Sequence, residues 1–325
     1  IRGLRGQGRE VWLFASGDST VGVPVSGGLP ESSWPPDKFS EGLHLAHAFR
    51  HLKAKPPGVI HSHLETAAAF GALAGVAAPL AVTLHTPLFP MKRRYLLSFP
   101  QVYLVAASRF QHRQLEGHPR LHLIPHGLDL KAYPFEASQG DYLLLLGRIY
   151  PEKGLHTAMR AAREAGQRLL IAGPVFEPDR AYFDRQIRPH LDGERLVYVG
   201  AADFPRKVDL LKRARALMSP VEVDETFGLA MVEAMACGTP VVASRRGAVP
   251  EGVLHGETGW VAGTYAQLKE GLRRVDGLDR GRCRAHVEEN FSADRMVAAY
   301  LKLYDLMRQE FSPVRGGKEA GIRAG

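Results

Sequence analysis

Short apolar runs alternate with stretches of helical spacing along most of the chain. VWLFAS (11–16), GVIHSH (58–63), LAVTLH (80–85), VYLVAAS (102–108) and LHLIP (121–125) form one set of predicted strands. DYLLLLG (141–147), RLLIAG (168–173), LVYVG (196–200), ALMSP (216–220) and PVVAS (240–244) form a second. Between them, GLHTAMRAAREAG (154–166) and KVDLLKRA (207–214) have the spacing of helices. Strands that are apolar along their whole length and separated by helices predict parallel sheets covered on both faces. Two such sets predict an α/β chain of two doubly wound, Rossmann-like domains, 1–130 and 131–291. DLKAYPFEASQG (129–140), with Pro, Ser and Gly and no periodicity, marks the boundary. A last helix is predicted from Ser292, its N-cap, to about Gln309, within a segment 292–311. Its stripe of Met296, Tyr300, Leu303, Tyr304 and Met307 reads as core packing. The tail 312–325 has no apolar face and reads as disordered.

Composition narrows the class. The chain has 325 residues, 45% hydrophobic and 23% charged, as a folded globular protein does. No apolar run reaches the length of a membrane span. Two cysteines, Cys237 and Cys283, fit a reducing cytoplasm. The net charge of +8 is uneven, with 14 Lys/Arg against 8 Asp/Glu in residues 1–135. That excess is either a solvated arginine-rich surface or a field attracting an anionic ligand or a membrane surface in peripheral contact. Nucleic acid is not expected as a partner, because zinc-finger spacing, a basic helix and an aromatic-plus-basic strand motif are all missing from the sequence.

The chemistry-bearing stretch is ETFGLAMVEAMACGTPVVAS (225–244). It predicts a helix from Phe227 or Gly228 to Cys237, stopped by Gly238. The unpaired amides at its start, Gly228 and Leu229, make an anion site. Glu225 lies before that end and Glu233 two turns inside. The spacing suits a nucleotide sugar, with phosphate on the amides and a hydroxyl-bearing ring at each carboxylate. GRIYPEKG (147–154) follows a strand and opens a helix. Its Arg148 and Lys153 lie where the helix dipole disfavours cations, a cost that a bound anion reverses. Arg can grip phosphate bidentately, and Lys acts as a point charge. The glycine spacing of a P-loop or a dinucleotide fingerprint is missing here.

Together these residues resemble the retaining glycosyltransferases of family 4, which have the GT-B fold of two Rossmann-like domains facing a central cleft. Glu225 and Glu233 match the family's Glu-x7-Glu motif, and GRIYPEKG its phosphate-clamping Gly-Arg…Lys-Gly segment. HLIPHGLDL (122–130) is similar to its interdomain IPNGVD, with His126 for Asn, and GETGWVA (256–262) to its G-x-T-G-x-L after the last strand. The resemblance implies a catalytic set of His85, Arg148, Lys153 and Glu225. It implies donor contacts from Arg148 and Lys153 to the diphosphate, Glu233 to the ribose and Glu225 to the sugar. Backbone at Phe227, Gly228 and Leu229 would meet the sugar and phosphate, and the loops after Gly173 and Gly200 the base. It further implies that the C-terminal helix crosses back to the first domain. Thr86 stands where Gly usually follows the histidine. With no Asp-x-Asp, neither a metal nor another cofactor is expected. The donor would be a UDP-sugar, UDP-glucose being favoured, and the acceptor is open: a small molecule, a glycan or a lipid-linked or phosphorylated compound. The alternatives are a GT-B epimerase or phosphorylase, or an inactive nucleotide-binding remnant.

Two further expectations concern the first domain. Family chains open with a strand and a Gly-rich loop before RGHEV, whereas LRGQGREVW comes at once here, with Arg9 for His. An omitted N-terminal segment is therefore expected, since lacking that strand would leave neighbouring strand edges exposed. His61 and His63 are expected to point to opposite faces and so not to share a metal, and His61 to be structural.

Overall fold

The structure is a computed structural model that describes residues 1–32 and 37–311. The predicted disorder of 312–325 lies outside the described residues. In chain order the first half comprises α1 (Arg2–Gly6), β1 (Leu13–Phe14), β2 (Val25–Ser26), α2 (Lys38–Ala54), β3 (Ile60–Ser62), α3 (Ala67–Leu73), β4 (Leu80–Thr83), α4 (Pro90–Leu97), β5 (Tyr103–Ala106), α5 (Arg109–Arg113) and β6 (Leu121–Leu123). The second comprises β7 (Tyr142–Leu146), α6 (Leu155–Glu164), β8 (Arg168–Ala172), α7 (Arg180–Tyr182), β9 (Leu196–Gly200), α8 (Phe204–Arg213), β10 (Ala214–Ser219), α9 (Leu229–Ala236), β11 (Val241–Ser244), α10 (Val249–Gly252), β12 (Gly259–Ala262), α11 (Tyr265–Arg274), α12 (Arg280–Asn290) and α13 (Ala293–Glu310).

Each of the ten predicted runs overlaps a strand. The second set forms one parallel sheet of six strands, ordered β12-β11-β10-β7-β8-β9. Its strands bury both faces: Leu143 and Leu145 pack into one apolar cluster, Leu144 into the other. GWVA, expected after the last strand, is itself the edge strand β12, in register with β11 from Val241↔Gly259 to Ser244↔Ala262. Gly259 there has no room for a side chain, since a Cβ would lie 2.2 Å from the Val241 carbonyl oxygen.

The first set divides. β3-β4-β5-β6 form a four-stranded parallel sheet, while β1 and β2 pair with each other in a separate ribbon. Among the described residues no strand pairing joins the two.

α13 packs on the four-stranded sheet, with Tyr300, Leu303 and Met307 buried against Ala81, Tyr103 and Val105. Its start is tied to the other crossing: the Leu128 amide donates to the Phe291 carbonyl at 2.8 Å, and the Ala293 amide to the Leu128 carbonyl at 2.8 Å. The two connections between the halves thus run side by side. Ser292 occupies the N-cap position, but its side chain makes no capping hydrogen bond. The contacts between halves include the Glu251 carboxylate of α10, which accepts from the Arg109 and Phe110 amides of α5, both at 2.6 Å.

Candidate active site

Ligands of open parallel sheets bind beyond the carboxyl ends of the strands. Three adjacent strands here end in glycine. Gly147 follows β7, Gly173 follows β8 and Gly200 closes β9. The Gly173 amide donates to the Gly200 carbonyl at 2.9 Å. A Cβ on Gly173 would lie 1.8 Å from the Gly147 carbonyl oxygen, so the two turns can be this close only without a side chain there. One edge of the cleft is therefore bare backbone.

From Gly147 the chain carries Arg148 and then Lys153 before α6. Gly154, at φ 70°, turns it into the helix with no space for a Cβ, which would come 1.9 Å from the Pro220 carbonyl oxygen. That contact presses the loop onto the segment after β10. Gly228, at φ 87°, then opens α9. The helix spans Leu229–Ala236 with Cys237 at its C-cap and Gly238 at φ 89° beyond, within a residue of the predicted limits. One cavity is lined by Gly147, Arg148 and Lys153 on one side and by Glu225, Gly228 and Leu229 on the other.

The charges in it are paired. Lys153 Nζ donates to Glu225 Oε2 at 3.2 Å. Arg148 donates through Nε and Nη2 to one oxygen of Asp179, at 2.9 and 2.7 Å, with its guanidinium 4.8 Å from the Tyr150 ring centroid. Asp179 was not singled out by the sequence reading. It lies in the loop after Gly173, 31 residues from Arg148, and no motif marks it.

Glu233 is separate from this group. It is 5% exposed, on a helix whose Val232 and Ala234 are fully buried. Its Oε1 accepts from the Tyr133 hydroxyl at 2.6 Å and from Lys207 Nζ at 2.6 Å. Burial first, and then the bond to Glu233, raise the Tyr133 phenol, which stays protonated and a donor. The sequence reading placed Lys207 only as the start of a helical pattern and did not single out Tyr133.

The first half meets this region with imidazoles. His85, just past β4, shares a 2.8 Å hydrogen bond with His63 and stacks on His126 at 5.0 Å between ring centroids. His126 in turn meets the Phe227 ring edge-on at 4.8 Å, and Thr226 Oγ1 donates to the His85 carbonyl at 3.2 Å. The expectation that His61 and His63 point apart is overturned: their rings are 4.6 Å apart. Strand residues two apart share a face. His61 is held through both ring nitrogens, by Tyr304 at 2.6 Å and Thr83 at 2.7 Å, as a structural residue would be. Burial, ahead of mutual repulsion, lowers His61 to about 3 and His63 and His126 to about 4. His85 is also lowered, again by burial first. All four are neutral at neutral pH. Among the described residues no group of three or more His, Cys, Asp or Glu is placed to hold a metal ion.

Two family models match adjoining stretches that together span residues 1–285: Glycosyltransferase Family 4 over residues 1–132 and Glycosyl transferases group 1 over 131–285. A glycogen synthase of Mycobacterium tuberculosis is 35% identical over 44% of this chain and 36% of its own length. The match thus spans about a third of that relative. A D-inositol 3-phosphate glycosyltransferase of Jonesia denitrificans is 26% identical over 83% of this chain and 76% of its own. Among solved structures, HepE of Anabaena, in complex with UDP and glucose, superposes with a TM-score of 0.74 at 18% identity, over 87% of this chain and 86% of that one. Two parallel-sheet domains, a Gly-Arg…Lys-Gly loop facing a Glu-x7-Glu helix and matching models over both halves lead to one conclusion: the chain belongs to the family 4, group 1 glycosyltransferases of GT-B fold.

Proposed function

We propose that the protein transfers a sugar from a nucleotide diphosphate sugar to an acceptor hydroxyl, with retention at the anomeric carbon and without a metal ion. The observation that carries this reading is the single cavity in which Arg148 and Lys153 face the N-terminus of α9. Two cations and a set of unpaired amides suit a diphosphate. Glu225 then meets the sugar and Glu233 the ribose, with the base over the glycine edge at Gly173 and Gly200. As the bond from anomeric carbon to phosphate oxygen breaks, negative charge grows on the leaving diphosphate, where Arg148, Lys153 and the amides stabilise it. The acceptor hydroxyl attacks the same face and its proton passes to the departing phosphate oxygen. The cationic clamp takes the place of a divalent ion. UDP-glucose is the favoured donor, in keeping with the UDP and glucose held by HepE. A phosphorylated acceptor suits the basic first half and the inositol phosphate named for the Jonesia relative. The two cysteines are free and buried, as suits the cytoplasm, and no described helix is long and apolar enough to cross a membrane.

The test is incubation with UDP-glucose in excess chelator, following nucleotide release and the configuration of the freed or transferred glucose by proton NMR. An α-configured product formed without metal is expected. A β product would exclude retention, and activity restored only by added Mg²⁺ would exclude the metal-free clamp. Failure of folded protein to bind UDP, GDP or ADP would remove the donor site itself.

A further inference from the structure

Glu233 is an expensive residue to bury. A carboxylate on so apolar a helix costs several kcal/mol unless it is paired and hydrogen-bonded. Its two partners come from outside the helix and converge on a single oxygen. Tyr133, at the start of the second half, and Lys207, on α8, both donate to Oε1 at 2.6 Å. Two donors on one oxygen fix the rotation of the carboxyl group, and Oε2 is the oxygen that neither engages. Lys207 itself is held in an aromatic corner. Its ammonium lies 5.1 Å from the Phe204 ring centroid and 5.8 Å from that of Tyr133, and those rings meet edge-on at 5.4 Å. Its side chain is only 23% exposed. α8 begins at Phe204, next to the N-cap Asp203 and just past Gly200, so the ammonium is delivered to the ligand end of the sheet.

We propose that Lys207, set in the corner formed by Phe204 and Tyr133, is a positioning residue that orients the Glu233 carboxylate to receive the ribose hydroxyls of the bound nucleotide. This rests on the reading above in which Glu233 meets the ribose. Lys207 does not touch the nucleotide. It holds Oε1 from behind and leaves Oε2 aimed at the ligand, with Tyr133 as the second, neutral donor. An ammonium makes a better fixed partner here than water, because the aromatic faces favour the cation at this position.

The experiment is a ribose-selectivity measurement on the full chain. Whichever of UDP, GDP and ADP binds the wild type most tightly is titrated by calorimetry beside its 2′,3′-dideoxy counterpart. Hydrogen bonds to a charged group imply a wild-type preference for the ribo form of about 10- to 100-fold. Glu233→Ala is expected to abolish the preference. Lys207→Met, which keeps the packing and removes the charge, is expected to reduce it to about 3-fold or less, by loss of orientation. Lys207→Arg is expected to restore most of it, and Tyr133→Phe to lower it part of the way. A ratio measured within one sample does not depend on the fraction folded, so loss of stability alone cannot produce the effect. If Glu233→Ala loses the preference while Lys207→Met keeps it, Lys207 is structural and the positioning role is wrong. If Glu233→Ala also keeps it, the ribose assignment of Glu233 fails, and the proposal with it.

Discussion

The two halves present different chemistry to the cleft between them. The second half closes a continuous six-stranded sheet and sets ion pairs at its ligand end: Lys153–Glu225, Arg148–Asp179 and Lys207–Glu233. The first half has a four-stranded sheet, a separate two-stranded ribbon and a row of neutral imidazoles at its strand ends. Three ion pairs gather at the ligand end of the second half, whereas the first half sets its row of uncharged rings there, with one ion pair, Lys92–Glu65, beside it. The lesson is a division of labour. Of the second half's pairs, Lys153–Glu225 and Arg148–Asp179 can take up an anionic donor by swapping partners, while Lys207–Glu233 stays fixed. A side of uncharged rings can shape and orient without competing for that anion.

The largest effect that would break this comparison is on donor binding. Arg148→Ala combined with Lys153→Ala should weaken nucleoside diphosphate binding at least about 100-fold, since each charge-assisted contact contributes about 1.5–3 kcal/mol. His85→Ala should leave that affinity within about 2-fold while lowering transfer, because an uncharged ring contributes little to anion affinity. Calorimetry and rate measurements on the same samples decide it, and equal losses of affinity in both variants would erase the division.

Next comes backbone packing. Gly154→Ala puts a Cβ into the Pro220 carbonyl at positive φ and should cost about 2–4 kcal/mol by denaturant unfolding. Gly58→Ala, where the nearest atoms are the Arg308 side chain at 3.7 Å, should stay within about 0.5 kcal/mol. A tolerated Gly154→Ala would mean that the clamp loop is not pressed onto its neighbour.

The pH response should fall mainly on the first half. His61, His63 and His126 have folded values near 3, 4 and 4, below the ordinary 6.5. The unfolded chain then binds protons that the folded one refuses. The stability these groups contribute is complete above about 6.5 and is lost progressively as pH falls from there to and through their folded values. Hydrogen exchange followed from pH 7.5 down to 4.5 should show β3 to β6 opening before β7 to β10. The opposite order would place the sensitive groups in the other sheet.

Smallest is the contact across the cleft. Thr226→Val removes the bond to the His85 carbonyl and should lower transfer about 3- to 10-fold, the worth of one ordinary hydrogen bond, with donor affinity unchanged. A change in affinity instead would assign Thr226 to the donor.

Much of the fold was legible because its signals are local. Ten apolar runs overlap ten strands, and the glycine after the Glu233 helix stops it where expected. Val25–Ser26 escaped notice because two residues among Gly, Pro and Ser carry no run, and Gly259–Ala262 because glycine starts it. The motif residues Arg148, Lys153, Glu225 and Glu233 were equally legible, each within a few positions of a strand end or a helix start.

Their partners were not. Tyr133 is 100 residues from Glu233, Lys207 is 26 away, and Asp179 is 31 from Arg148. The row of four histidines draws on three separate segments, and the sequence reading even set two of them apart. By itself, then, the sequence determined the alternation of strands and helices, the glycine turns and the identity of the charged motif residues, since periodicity and φ preferences act over a few residues. The tertiary structure alone decided which opposite charges meet and which oxygen of Glu233 is held. It also decided that the imidazoles stay neutral, because ion pairing and desolvation depend on distances in space that no local spacing encodes.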